Sequence, residues 1–503
     1  MKLKRNIVAN FIGQGWSALV GIAFLPLYIQ YLGISAYGLI GFFITLQAIL
    51  SFLDLGFSQT LNREMARFKA GKYSAISIKK LLRSIEILLI FVAIFIFFLV
   101  WGLSDFIAFN WLSSAKLQPN IIASAVVIMG AIIGLKPIEQ IYFRSLFGLE
   151  RQVVANIIMS LSSLVRFGGS LLALIFIENS IVIFFLWQLA SSIFFLLILM
   201  FFTYFFLPQT KEKIMIAFYP IKNVWKFSIG ICGITILAIM MTQFDKIILS
   251  SLLSLELFGY YSLAWTIASA TMLISLPISQ AYYPKLVDRI ATENKNDFNK
   301  LFHQGSQMIV ILAGSLVGII FFFSDNLIYL WTGDFNLATK ISPILRPLII
   351  GCFLNYLVWM PYQAQLAYGW TRFGLWANLI AVLFILPSIY IVTPIYGEVG
   401  AAWIWVSLNL GYITLGMHFM YKKILQTEKK DWYIQDIIKP TIYIILVILF
   451  FKFMVFNSLE SNTVKVIFYL AVWVISMVFT IFMIPTLKPI FINMFLFLWK
   501  KNV

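Results

Sequence analysis

Arg166 stands near the middle of an almost unbroken apolar run, in the stretch SLSSLVRFGGSLL. A guanidinium stays protonated and presents a planar fork that fits phosphate. An ionised side chain in hydrocarbon costs roughly 2.5–3.5 kcal/mol on insertion scales, so it faces a partner or a wet cavity. Two destinations are open for Arg166: contact with a phosphate-bearing or other anionic ligand, or an ion pair with a carboxylate inside the protein. The stretch LKPIEQIYFRS (135–145) adds further groups. Lys136, Glu139, Gln140, Phe143 and Arg144 recur at three- and four-residue spacing and share one helix face. Pro137 predicts a kink. That stripe suits a cavity wall, or else a Lys136–Glu139 pair that stabilises packing while Lys136 snorkels. Glu139 is also a candidate proton-coupling carboxylate.

Other polar positions interrupt apolar runs. In FLDLGFSQTLNRE (52–64), Asp54 precedes the end of the run, with Arg63 and Glu64 beyond it. Asp54 belongs either to an inner gate or to an ion pair with Arg63 or a basic residue of the next loop. Asp245 and Lys246 are adjacent, so they point about 100° apart on a helix. Lys246 can snorkel, and Asp245 can pair with a neighbouring helix or take part in ion coupling. In LNYLVWMPYQAQLAYG (354–369), Asn355, Tyr356, Trp359, Tyr362, Gln363 and Gln365 combine rings with amides. Such groups suit a sugar surface, and equally suit hydrogen bonding between helices. His303 and His418 stand alone, and Cys232 and Cys352 form no metal or redox motif. No nucleophile motif or phosphate-binding GxxxxGK[ST] loop occurs. No metal, no cofactor and no enzymatic activity are expected.

The elements that carry these residues follow from composition. The chain has 503 residues, 61% hydrophobic and 11% charged, against about 25% charged in a soluble domain. Its mean hydropathy is +0.94. A net charge of +17 invites a nucleic-acid reading, which needs a basic face on a folded domain. Here the cations lie in short clusters between apolar runs, so nucleic acid is not an expected partner. Spans of about 20 apolar residues fall near 8–30, 37–60, 84–103, 120–142, 153–177 and 181–207. They continue near 225–250, 257–282, 305–324, 342–366, 373–394 and 397–420, with two more near 440–457 and 464–485. The count is about fourteen, and residues 486–499 read as a short interfacial helix. MKLKRN opens the first span rather than a cleaved signal. With both termini cytoplasmic, most of the 37 Lys and Arg residues fall on the inner side, as the positive-inside rule requires. The longest loops, 61–83, 283–304 and 421–439, are then all cytoplasmic.

An internal repeat organises the spans. YGLIGFFITLQAILSFLDLGFSQ, from Tyr37, matches FGYYSLAWTIASATMLISLPISQ, from Phe258, at a shift of 221 residues. Gly38 falls on Gly259, Thr45 on Thr266, and Ser58-Gln59 on Ser279-Gln280. The same shift places Arg151 on Arg372. Paired helices keep their orientation, so the repeat is parallel, as in many transporters. The expected fold is an all-α integral membrane protein. Two six-helix bundles occupy 1–210 and 211–425, and two additional helices with a basic tail occupy 426–503.

The chain resembles the lipid-linked polysaccharide repeat-unit flippases (O-antigen and capsule transporters) of the multidrug/oligosaccharidyl-lipid/polysaccharide exporter superfamily. The resemblance rests on YLGISAYGLIGFF (31–43), FLDLGFSQTLNREMA (52–66), MTQFDKIILSSLLSLELFGYYSLA (241–264) and YGWTRFGLWAN (368–378). It implies translocation of an undecaprenyl-diphosphate-linked oligosaccharide across a bacterial inner membrane by alternating access. It places Arg166, Lys136 and Arg63 as cavity cations. A polysaccharide polymerase and a chain-length regulator become potential partners, besides membrane lipids. A drug exporter of the same superfamily and a membrane glycan polymerase or ligase are the competing readings. Short outer loops and the repeat count against the latter.

Overall fold

A computed structural model describes residues 2–209, 219–454, 461–489 and 491. The chain forms two compact units. The first, Met1–Gly259, holds α1 (Lys2–Leu32), α2 (Ile34–Leu50), α3 (Phe57–Lys69), α4 (Ala75–Phe106), α5 (Pro119–Gly148), α6 (Gln152–Phe176), α7 (Ile181–Phe206) and α8 (Tyr219–Leu252), and ends inside α9 (Leu255–Ala270). The second, Tyr260–Val503, continues with α10 (Met272–Ala291), α11 (Lys295–Phe322), α12 (Ser324–Thr332), α13 (Phe335–Leu357) and α14 (Trp359–Ala367). It closes with α15 (Thr371–Gly411), α16 (Met417–Lys423), α17 (Lys429–Asp431), α18 (Lys439–Met454) and α19 (Asn462–Met483).

Among the described residues, twelve helical stretches are long and apolar enough to cross a membrane. The expectation of about fourteen differs at two places. Arg372–Lys423 counts once, with 52 residues. At 1.5 Å per residue that is roughly 78 Å, more than twice a hydrocarbon core of about 30 Å. It is interrupted at Gly397, whose φ of 61° and ψ of −150° are not helical. The expected runs 373–394 and 397–420 thus meet at that break. The run expected over 225–250 lies within α8 (Tyr219–Leu252), 34 residues long, of which Val224–Gly233 is the apolar stretch counted among the described residues. The interfacial segment expected over 486–499 lies for the most part outside the described residues.

The second expected helix, 37–60, is not continuous. It ends at Leu50, passes through a 3₁₀ turn at Ser51–Asp54 and restarts as α3. Leu55 and Gly56 between them are left-handed, with φ of 53° and 74°, a region glycine enters without penalty. The restart leaves the first N–H groups of α3 without helical partners. Asp54 supplies one: its Oδ1 accepts the Ser58 N–H at 3.2 Å, and its Oδ2 accepts the Ser58 hydroxyl at 2.6 Å. The carboxylate also sits favourably at a positive helix end. At the positions that the expected repeat pairs with these, α9 and α10 are likewise separate helices, with Thr271 between them.

Small residues set the close packing. Within the first unit, a Cβ on Gly134 would approach the Ala93 backbone, and one on Gly130 the Val100 side chain, so GAIIG (130–134) brings α5 onto α4 as small-xxx-small spacing does. In the second unit, Gly314 and Gly318 of GSLVG face Ile444 and Ile448 of α18. Gly38 and Gly259, superposed by the repeat, lie back to back in the first unit: a Cβ on Gly38 would stand 3.2 Å from the Gly259 nitrogen. Leu61, Met65, Leu82, Ile85, Leu89 and Ile141 make a buried core of α3, α4 and α5. Large apolar side chains such as Phe91, Phe95, Phe176 and Phe201 are exposed, as hydrocarbon contact demands.

Candidate functional site

α5 carries its polar stripe in an unbroken helix that accommodates Pro137. Ile138, Ile141 and Tyr142 turn into the core, which leaves Lys136, Glu139, Gln140 and Phe143 on the other face. All four line one cavity of about 290 Å³, together with Ile40, Phe43, Ile44 and Gln47 of α2, Ser162, Ser163 and Arg166 of α6, and Phe184 and Gln188 of α7. The volume falls at the lower end of small-molecule sites, about 300–1,000 Å³.

Arg166 and Lys136 converge on a single atom. Arg166 Nη2 and Lys136 Nζ each donate to Glu139 Oε2 at 2.9 Å. Both readings of Arg166 therefore meet: it is ion-paired within the protein and it lines a cavity. The three side chains are 14–18% exposed. Two cations face one carboxylate, so the cavity is cationic. The Arg166 Nε–H is buried and finds no acceptor among the described residues. The turn that presents Arg166 is tied to α7: Trp187 Nε1 donates to the Val165 carbonyl at 2.9 Å, and Gln188 Nε2 donates to Ser170 Oγ at 3.0 Å. Ser170 Oγ in turn donates to the Arg166 carbonyl at 2.6 Å. Ser163 donates to Ser17 of α1 at 2.8 Å.

The remaining candidates lie elsewhere. Arg63 does not line this cavity. Its Nη2 pairs with the buried Glu64 at 2.6 Å, and its guanidinium stacks 3.8 Å over the Phe227 ring. Asp54 caps α3 through Ser58 and makes no ion pair with Arg63 among the described residues; its charged neighbour is Arg144. Asp245 stands 3.6 Å from Lys246, and its Oδ1 is buried without a hydrogen bond among the described residues. In the second unit, the amides and rings of 354–369 bond between helices. Asn355 Nδ2 donates to Asn409 Oδ1 at 2.8 Å, Trp359 Nε1 donates to Asn355 Oδ1 at 3.1 Å, and the Tyr356 hydroxyl pairs with Thr271 at 2.8 Å. Tyr362 is exposed and Gln363 half-buried.

Two polar clusters have no counterpart in the sequence reading. Buried Glu86 receives the Tyr204 hydroxyl at 2.6 Å and Arg83 Nη1 at 3.1 Å. The Arg83–Glu86 spacing of three was the available signal. His303, which reads as isolated, is held between Asp436 at 2.5 Å and Glu428 at 3.0 Å. Gln307 Nε2 donates to Asp436 Oδ1 at 2.8 Å, and Asn299 donates to Glu428 at 2.7 Å. Those partners are more than a hundred residues away in the chain, so no local signal announces them.

Comparison with known proteins now bears on this arrangement. A Shigella flexneri protein named as a candidate O-antigen transporter is 22% identical over 430 residues, covering 84% of this chain and 99% of its own length. Lipid II flippase MurJ in an inward closed conformation superposes with a TM-score of 0.69 at 14% identity, over 93% of this chain and 98% of that one. An inward-facing multidrug resistance MATE transporter of the MOP superfamily gives 0.66 at 15% identity, over 84% and 99%. At these identities the structural likeness is one of fold, which alone does not fix function. The MatE family matches residues 231–391. The polysaccharide biosynthesis protein family matches residues 3–290, more than half of the chain, and this multi-pass membrane protein belongs to it.

Proposed function

We propose that the protein is a flippase that moves an undecaprenyl-diphosphate-linked oligosaccharide, an O-antigen or capsule repeat unit, from the cytoplasmic to the outer leaflet of the bacterial inner membrane. One observation carries the reading: two cations, Lys136 and Arg166, face a cavity with a single carboxylate between them. A bidentate guanidinium and a lysine are the usual recognition set for phosphate oxygens. The cavity suits a diphosphate, while its Phe and Ile walls suit the adjoining isoprenoid. The name of the Shigella relative and the fold shared with a lipid II flippase support the same class. A pocket for cationic drugs would need the opposite balance of charge. In this reading both termini are cytoplasmic, and the functional halves are 1–210 and 211–425 with 426–503 appended. An ion gradient drives the cycle, with Asp245, whose buried Oδ1 stands 3.6 Å from the Lys246 ammonium, a candidate coupling carboxylate. Polymerase and chain-length regulator act downstream.

A deletion strain complemented with Arg166→Ala tests the proposal. Lys136 still pairs with Glu139 in that variant, so protein levels should match wild type. Surface polysaccharide should be lost, with lipid-linked repeat units trapped on the cytoplasmic face. Normal surface polysaccharide would remove Arg166 from the mechanism.

A further inference from the structure

The geometry of the cavity points to a role for Glu139 that its cations alone do not reveal. Arg166 and Lys136 come from different helices, yet both end on the same oxygen, Glu139 Oε2, at 2.9 Å. A structural pair on α5 would need only Lys136, three residues away. A coordinated pair of cations on one anionic oxygen is the arrangement a phosphate oxygen would adopt there. We propose that Glu139 is a tethered competing anion: it occupies the phosphate-binding fork while the site is empty, and a ligand must displace it to enter. This rests on reading the cavity as the diphosphate site.

The consequence is selectivity by charge. A singly charged ligand only exchanges one negative charge for another, and it must also leave water. A diphosphate brings more than one negative charge and can hold both cations at once. The Arg166 Nε–H, buried and without an acceptor among the described residues, is a further donor that Glu139 leaves unused. Glu139 thereby sets the minimum charge a ligand needs, and it returns to the fork on release, which keeps the empty cavity from holding two uncompensated cations.

The test measures binding of inorganic pyrophosphate and of methanesulfonate, a monoanion, to the full purified chain by calorimetry. Glu139→Gln keeps the shape and removes the competitor. Pyrophosphate should bind it about tenfold more tightly than wild type, a shift of 1.4 kcal/mol in binding. Methanesulfonate, negligible on wild type, should become measurable. Unchanged or weaker pyrophosphate binding to Glu139→Gln overturns the proposal and leaves Glu139 a residue that merely orients the cations. If that variant does not accumulate, Lys136→Gln/Glu139→Gln, which keeps the charge balance of the cavity, replaces it. Pyrophosphate should then bind at least as tightly as to wild type although one cation is gone, and weaker binding refutes the idea. Arg166→Ala and Lys136→Ala are measured alongside. If neither weakens pyrophosphate binding, the diphosphate reading of the cavity fails, whatever Glu139 does.

Discussion

Gly38→Ala is the most direct probe of how closely α2 and α9 approach. A methyl at this position would overlap the Leu255 carbonyl oxygen, and would lie 3.0 Å from the Leu255 carbonyl carbon and 3.2 Å from the Gly259 nitrogen. Non-bonded carbon contacts settle near 3.5–4.0 Å, and a radial gap of 0.5–1 Å forfeits a quarter to a half of each contact. Relieving the overlap with the carbonyl oxygen takes a separation of more than that, at the expense of buried neighbours such as Tyr37, Leu39 and Phe258. Overpacking of this kind costs about 1–3 kcal/mol. Gly102 of α4 is the control, because a Cβ there meets nothing within 4 Å. In a helix interior, Gly→Ala is then worth about 0.5–1 kcal/mol of stabilisation. That gain applies at both helix-interior sites and cancels, so the two variants should differ by about 1–3 kcal/mol. At roughly 2–4 °C per kcal/mol for larger domains, their thermal midpoints in detergent, followed by size-exclusion chromatography after heating, should separate by several degrees. A Gly38→Ala protein that melts with or above Gly102→Ala would refute the close approach.

Three further outcomes are expected. Tyr204→Phe removes the hydrogen bond to buried Glu86 and should cost about 1.5–3 kcal/mol, the range for bonds to charged groups, read as a lower thermal midpoint. Burial raises the Glu64 carboxyl, but hydrogen bonds from Tyr73, Arg63 and Arg67 outweigh it and hold the group below its ordinary value of 4.5. Its contribution to stability is full above that value and is lost as pH falls through the lower folded one. Glu64→Gln should therefore flatten the acid limb of a midpoint-against-pH curve below about pH 4.5. Asn355→Ala breaks the Asn355–Asn409 bond and should lower stability by about 0.6–1.7 kcal/mol. Lost export at unchanged stability would instead restore Asn355 as a sugar contact.

The polar face of α5 was legible because helix geometry alone decides which of residues 136–143 share a side. Arg166 was legible as an isolated charge, but its partner was not. The register between α5 and α6 depends on packing, which the spacing of either helix leaves open. Arg63, expected as a cavity cation, is instead held by the adjacent Glu64 and the chain-distant Phe227, and the second of these depends on packing that the sequence leaves open. Asp54 misled because an apolar run does not reveal a left-handed break. Once Leu55 and Gly56 turn the chain, an acid that reads as lying just before the end of one helix becomes the cap of the next one. The sugar-like surface of 354–369 has the composition of a ligand site, but Asn355, Tyr356 and Trp359 spend their polar atoms on one another and on Asn409 and Thr271.

The His303 cluster bears on how the chain can be shortened. Residues beyond 425 invite removal, because the repeat expected from the sequence leaves them out. Yet Asp436 is fully buried against His303 and Gln307 of α11, and Trp432 is fully buried beside it in sequence. A truncation that keeps only the repeat would strip an imidazole and an amide of their acceptors and open the side of α11 to lipid. A minimal functional version would have to redesign positions 303 and 307 first.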